Sequence, residues 1–261
     1  MIELDEIYKR FRARREEFLA LSDIRLRVDD GELACVVGPS GCGKSTIIRI
    51  ISDIIKPTSG RVKVNGITFD NSAPAPREAI RRMGFVFQIP NLYPWLTVRE
   101  NIRLPLVVLG LRGRSWLDYA DYLIGRAGLS DQADLRPQSL SQGMSQRAGV
   151  VRAMVHKPDI LLMDEPFGAL DEGTRERMNL LFLDIWRETG MSVVFITHNI
   201  EEAVLLGQRV YVMATGPGRI VESVRVEFGE REARTVESHR FAEYVSRLNG
   251  IIGNVELEKA V

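Results

Sequence analysis

Residues 33–46, LACVVGPSGCGKST, decide the fold. Leu33 to Val37 is a continuous apolar run, the pattern of a strand buried on both faces of a parallel sheet. Gly38, Pro39, Ser40, Gly41, Cys42, Gly43, Lys44 and Ser45 then fit GxxxxGK[ST]. Ile47, Ile48, Ile50, Ile51, Ile54 and Ile55 follow at helical spacing. Strand, glycine loop, helix is the order that a phosphate-binding loop needs. Glycines let backbone N–H groups curl around phosphate oxygens, and the helix N-terminus adds partial positive charge. In that geometry Lys44 reaches the β- and γ-phosphates of a nucleotide and the Ser45 hydroxyl binds Mg²⁺. A tight glycine turn with no ligand has no need of Lys-Ser at this offset, so the phosphate reading is preferred. Cys42 reads as a small filler within the loop, placed where the loop dipoles would lower its thiol pKa.

Two further apolar runs end in chemistry. Ile160 to Met163 leads into Asp164 and Glu165. A carboxylate at the C-terminal end of a parallel strand is expected at the ligand edge of the sheet. Asp164 would hold Mg²⁺ through its water shell, and Glu165 would polarise an attacking water. Two acids at a strand end are commonly just solvated, and only the phosphate loop lifts them above that. Val193 to Thr197 leads into His198. A lone histidine is more often structural, but this one ends a third strand aimed at the same edge, which favours a γ-phosphate contact. His156 and His239 have no such context and receive no role.

Composition narrows the function classes. Of 261 residues, 45% are hydrophobic and 27% charged, an ordinary globular balance. Lys plus Arg number 35 and Asp plus Glu 35, so the basic excess of a nucleic-acid binder is missing and no nucleic-acid partner is expected. Cys35 and Cys42 are too few for a disulfide framework or a four-thiolate zinc site. The opening MIELDEIYKR has acids where a signal peptide is apolar. The best apolar run, Leu104 to Leu111, falls far below the roughly 18 residues that span a bilayer. The expectation is a cytoplasmic chain, attached to a membrane only through a partner.

Along the chain, Ile2 to Ile7 reads as a short strand. Lys9, Arg10, Arg12, Arg14 and Arg15 after it read as a solvated loop. Ile24 to Val28 is a second strand, and Arg61 to Phe69 a hairpin turning at Asn65-Gly66. Residues 70–80 read as loop and Gly84 to Gln88 as a short buried strand. From about Leu96 to Ala153 the pattern is helical, an insertion between sheet strands. A helix over Thr174 to Glu188 separates two later strands, and Tyr211 to Ala214 is the last clear one. In the tail, Phe241, Tyr244, Val245 and Leu248 mark an amphipathic helix.

In this order the motifs resemble the nucleotide-binding subunit of ATP-binding cassette (ABC) transporters. The phosphate loop runs from Gly38 to Thr46. Gln88 in FVFQ resembles the glutamine that touches Mg²⁺ and signals to the membrane domain. Leu140-Ser-Gln-Gly-Met144, with Gln146-Arg147, resembles the signature motif. LLMDEP resembles the motif carrying the catalytic glutamate, Gly168-Ala-Leu-Asp171 the dimer-interface loop, and Thr197-His198 the switch histidine. The signature departs from the family's LSGGQ, with Gln142 and Met144 replacing a glycine and a glutamine. Ser141 can still cap the following helix and Gly143 still offers an N–H toward a phosphate. If position 142 requires positive φ, Gln142 costs about 1 kcal/mol there.

What the resemblance implies is an α/β P-loop NTPase: a RecA-like mixed sheet core, an antiparallel β subdomain and a helical signature subdomain. The implied organisation is a nucleotide-binding domain over residues 1–220, with a helical part at about 96–153, and a short extension over 221–261. Implied cofactors are ATP and Mg²⁺, the metal held by Ser45, Gln88 and Asp164. Glu165, His198 and Lys44 are the implied catalytic residues, with Ser141, Gly143 and Asp171 acting across a head-to-tail dimer. Phe11 matches the adenine-stacking aromatic, with Tyr8 and Phe18 as rivals. Implied partners are a second ATP-binding subunit, transmembrane permease subunits and, indirectly, an extracytoplasmic solute-binding protein, at the cytoplasmic face of the inner membrane. The large apolar groups of Asn91-Leu-Tyr-Pro-Trp95 suit either packing onto the sheet or a groove for a membrane subunit's helix. PNLYPWLTVRENI, LPLVVLG and Val212 to Val221 look like the importers of nitrate, sulfonates and taurine.

Other readings remain beside this one. A soluble cassette ATPase for repair would carry a long coiled coil between the two nucleotide motifs. A ribosome-linked one would usually hold two cassettes in one chain. A cassette that only binds would lack Glu165 or His198, whereas a weakly hydrolysing cassette in a mixed dimer fits the altered signature.

Overall fold

A computed structural model describes residues 1–13, 16–228 and 238–257. In chain order the elements are β1 (Ile2–Ala13), β2 (Glu16–Val28), β3 (Leu33–Val37), α1 (Lys44–Ile51), β4 (Ser59–Val64), β5 (Ile67–Phe69) and α2 (Arg77–Ile80). Then come β6 (Met83–Val86), α3 (Val98–Val108), α4 (Arg114–Arg126), α5 (Gln142–Met154), β7 (Ile160–Asp164) and α6 (Glu172–Thr189). The chain ends with β8 (Ser192–Ile196), α7 (Ile200–Leu206), β9 (Arg209–Ala214), β10 (Arg219–Arg225) and α8 (His239–Leu257). They divide between two compact units, residues 1–80 with 192–261, and residues 81–191.

The first unit holds two sheets. One is antiparallel, in the order β2-β1-β4-β5. The β4–β5 hairpin turns at Asn65 and Gly66, with φ of 49° and 83°, as an Asn-Gly turn between strands requires. In the other sheet β3 lies between β8 and β9, parallel to both, and β10 pairs antiparallel with β9. All five residues of β3 and of β8 are buried, so both strands read as unbroken apolar runs rather than alternating ones. α1 buries Ile47, Ile48, Ile50 and Ile51.

The second unit is mostly helical. β6 and β7 pair in parallel, and α3, α4, α5 and α6 make up most of the rest. α3 starts with a capping box: the Thr97 hydroxyl accepts from the Glu100 N–H, and the Glu100 carboxylate accepts from the Thr97 N–H.

Three expectations are corrected. The basic stretch from Lys9 to Arg12 is strand, because β1 continues to Ala13; Arg14 and Arg15 lie outside the described residues. The run is solvated as expected, but as a hairpin arm in which Arg12 faces Glu17. Residues 70–80 end in the short helix α2. β10 follows β9 as a further strand, and its mostly exposed residues at a sheet edge explain its weak apolar pattern.

Candidate functional site

In the first unit, the loop from β3 to α1 curls on glycines. Gly38, Gly41 and Gly43 have φ of 152°, 79° and 96°, and Gly43 caps α1 in the left-handed conformation. Lys44 is folded into this curl, where its ammonium donates to the carbonyl oxygens of Gly38 at 2.7 Å and Pro39 at 2.9 Å. A buried cation held by weakly charged carbonyls is poised to exchange them for phosphate oxygens. Cys42 is buried as a filler, but the expected lowering of its pKa is not found. Burial pushes the thiol up and outweighs the nearby Lys44. Ser45 and Thr46 open α1, both partly exposed.

The loop also rests on its neighbours. A Cβ on Gly38 would stand 2.5 Å from the Met213 carbonyl oxygen, and one on Gly43 2.5 Å from Leu21 Cδ2. Gly218 closes the back: its N–H donates to the Ala20 carbonyl at 3.0 Å, and its carbonyl accepts from the Ser22 N–H at 2.9 Å.

Phe11 stacks on Phe18 across the β1–β2 hairpin, ring centroids 5.6 Å apart, with the Lys9 ammonium 4.9 Å from the Phe11 ring centre. The chosen aromatic and one of its rivals therefore form a single platform. His198 stands exposed just beyond the end of β8.

In the second unit, Asp164 ends β7 with 5% of its surface exposed. Glu165 follows at φ 47°, a left-handed conformation that a non-glycine residue adopts at a cost, and such strain collects at functional sites. Gln88 is exposed just past β6. Ser141 caps α5, its hydroxyl accepting from the Met144 N–H at 3.2 Å. Gln142 is the first residue of α5 and has no positive φ, so the feared backbone cost at this position does not arise. Gly143 lies in the first turn of α5, where a Cβ would stand 3.3 Å from Leu170 Cδ2. Asp171 caps α6, accepting from the Thr174 N–H at 3.0 Å, and Thr174 holds its carboxyl below the usual carboxylate range.

Among the described residues no three His, Cys, Asp or Glu side chains gather into a metal site of their own. Mg²⁺ is ordinarily held by one or two protein oxygens, waters and the substrate's phosphates. Ser45 in the first unit, and Gln88 and Asp164 in the second, each carry an oxygen donor of that hard type.

The family model for the ABC transporter matches residues 21–168, more than half of the chain. This chain belongs to the ABC transporter family. As such it is an ATP-binding, ATP-hydrolysing subunit. It is 39% identical over 244 residues to the taurine import ATP-binding protein TauB of Jannaschia sp. (strain CCS1), covering 92% of this chain and 88% of that one. It is 37% identical over 265 residues to the nitrate import ATP-binding protein NrtD of Synechocystis sp. (strain ATCC 27184 / PCC 6803 / Kazusa), covering 99% and 97%. The ATP-binding cassette MJ0796, solved as a dimer in a post-hydrolysis state with ADP and Pi, superposes with a TM-score of 0.79 at 32% identity, covering 88% of this chain and all of that one. The P-loop NTPase fold expected from the motifs is the fold observed.

Two features of this ABC subunit were not legible as motifs. One is the Gly218 brace behind the phosphate loop. The other is Asn101, fully buried in α3. Its side-chain oxygen accepts from the Tyr93 N–H at 2.8 Å, and its amide donates to the carbonyls of Tyr93, Leu96 and Thr97 at 2.9–3.2 Å. Asn101 so holds the loop after Gln88, while Arg152 donates to the Pro90 and Asn91 carbonyls at 2.5 and 2.9 Å. Tyr93 and Trp95 stay exposed, and beside them is a cleft of about 350 Å³ lined by Phe85, Phe87, Tyr93, Leu104, Val108 and His156. Burial pushes the His156 imidazole pKa below its ordinary value. No helix among the described residues is long and apolar enough to cross a membrane.

Proposed function

We propose that this chain is the ATPase of an importer for a small solute such as nitrate, a sulfonate, taurine or a related compound. Two copies pair head to tail at the cytoplasmic face of the inner membrane, beside permease subunits that receive solute from an extracytoplasmic binding protein. The observation that carries the catalytic part is the Lys44 ammonium held inside the phosphate loop by loop carbonyls. The similarity to taurine and nitrate import proteins supports the transport part.

In this reading Gly38 to Thr46 wrap the phosphates, Lys44 neutralises charge developing on the β- and γ-phosphates, and Phe11 stacks on adenine. When bound, Mg²⁺ supplies charge neutralisation on the phosphate oxygens, with Ser45, Gln88 and Asp164 as its protein donors. Glu165 takes the proton of the attacking water, and His198 contacts the γ-phosphate. Ser141 and Gly143 close over ATP held by the other copy, with Asp171 at the same interface. The nucleotide-binding domain would span residues 1–220, with its helical part at about 96–153. The Tyr93 and Val108 cleft is the surface for a permease helix, since exposed apolar groups on a loop clamped from behind suit a docking groove.

The test is solution mass by light scattering of the Glu165→Gln variant, with and without ATP and Mg²⁺. A shift from monomer to dimer only with ATP supports the paired, two-site arrangement. A monomer that still binds ATP overturns self-pairing of the isolated chain and points to a second, different cassette or to membrane subunits that hold the pair together.

A further inference from the structure

The turn that carries His198 is closed by a ring of hydrogen bonds to which the proposed chemistry gives no part. Thr197 Oγ1 donates to Glu202 Oε2 at 2.5 Å. The Asn199 N–H donates to Thr197 Oγ1 at 3.0 Å, and the Glu202 N–H donates to Asn199 Oδ1 at 3.0 Å. The ring thus runs from Thr197 to Asn199 to Glu202 and back, with His198 enclosed between two of its members. Thr197 and Glu202 are 2% and 6% exposed, whereas His198 projects to solvent. The Thr197 N–H also donates to the Val36 carbonyl at 3.3 Å, anchoring the turn to β3, the strand that leads into the phosphate loop.

Glu202 stands in the first turn of α7, where negative charge is favoured, but its side chain closes no capping box, because the Asn199 N–H goes to Thr197 Oγ1 instead. Asn199 alone caps α7, and burying an ionisable group costs free energy that an apolar side chain would avoid. What the Glu202 side chain adds is a short hydrogen bond, accepted by Oε2, from the residue immediately before His198. We propose that Glu202 is a positioning residue: through Thr197 it sets the backbone at His198 and so aims the imidazole at the γ-phosphate. This rests on the role given to His198 above.

The experiment compares steady-state ATP hydrolysis by the wild-type chain with His198→Ala, Glu202→Ala, Glu202→Gln and the double variant Glu202→Ala/His198→Ala. Glu202→Ala is expected to lower kcat about tenfold with the KM for ATP within about twofold, because a transition-state contact is lost and ground-state binding is not. Glu202→Gln, which keeps an acceptor for Thr197, is expected to lose less. The double variant should be no slower than His198→Ala alone, the non-additivity of residues acting as one unit. A merely structural role would instead multiply the two losses and overturn the inference, as would wild-type kcat in Glu202→Ala beside a slow His198→Ala. Wild-type kcat in His198→Ala strikes the underlying role of the histidine and takes the inference with it, so the two failures are told apart. If Glu202→Ala does not fold, Thr197→Val and Thr197→Ser decide the matter. The serine should keep kcat and the valine lose it, and equal rates overturn the proposal.

Discussion

Gly218 lies so close to the phosphate loop that a Cβ on it would stand 2.1 Å from the carbonyl oxygen of Cys42. No real side chain fits there, so adding one must displace the loop. Gly218→Ala is expected to raise the KM for ATP by at least about tenfold, the effect of roughly 1.4 kcal/mol of lost binding. Gly216→Ala is the control. Gly216 has φ 71° and open space around it, so this change strains only its own turn. Nucleotide titration of the two variants checks the contrast, and equal KM values would remove Gly218 from the loop's support.

The Phe11–Phe18 platform makes a prediction about base recognition. Stacking of a base on an aromatic ring contributes about 1–3 kcal/mol. Phe11→Ala should therefore raise the KM for ATP by about fivefold or more. Hydrolysis of inorganic tripolyphosphate, which has no base, should be unchanged. A parallel loss with tripolyphosphate would mean that the hairpin shapes the phosphate loop rather than the base pocket.

The cap that Ser141 gives α5 and its proposed contact with the other copy's nucleotide are separable. Ser141→Ala removes the cap of α5 and should cost about 1 kcal/mol of stability, read by chemical denaturation. Ser141→Asp keeps a capping oxygen but places a negative charge where the other copy's phosphates are proposed to sit. It should therefore unfold like wild type, yet abolish ATP-dependent pairing in the Glu165→Gln background. Normal pairing of Ser141→Asp would remove the signature serine from the nucleotide interface.

His156 gives a pH dependence whose sign follows from burial. Its folded-state pKa lies below the ordinary value, with burial the main cause and the Met83 carbonyl, 3.3 Å from Nε2, acting in opposition. As pH falls through about 6.5 the unfolded chain takes up a proton that the folded one does not, so stability declines. The loss continues until the folded-state pKa is reached. Melting temperatures at pH 5.5 and 7.5 should differ less in His156→Gln than in wild type. An unchanged difference would place the proton uptake elsewhere.

Much of this protein is written in short-range pattern. The run LACVV, the glycine loop and the isoleucine spacing of α1 specify strand, phosphate loop and helix within 23 residues of one another, Leu33 to Ile55. Asn65-Gly66 marks its own turn, Thr97 and Glu100 their capping box, and Ser141 its cap, because each depends on partners a few residues away. The candidate chemistry was legible for the same reason: Asp164, Glu165 and His198 each end an apolar strand.

Only the tertiary structure decided the rest. The basic stretch of β1 became strand because residues 17–21 cross from the other arm of the hairpin to pair with it. Phe11 is paired with Phe18 rather than standing as a single ring for the same reason. Gly218 must be glycine because Cys42, 176 residues earlier (218 less 42), comes within a Cβ of it. Asn101 and Glu202 look like ordinary helix-surface polar residues in the sequence, and only the fold buries each against a particular turn. Periods and caps are local and can be read along the chain. Close approach and desolvation arise only when distant segments pack, and they convert plain residues into supports for the site.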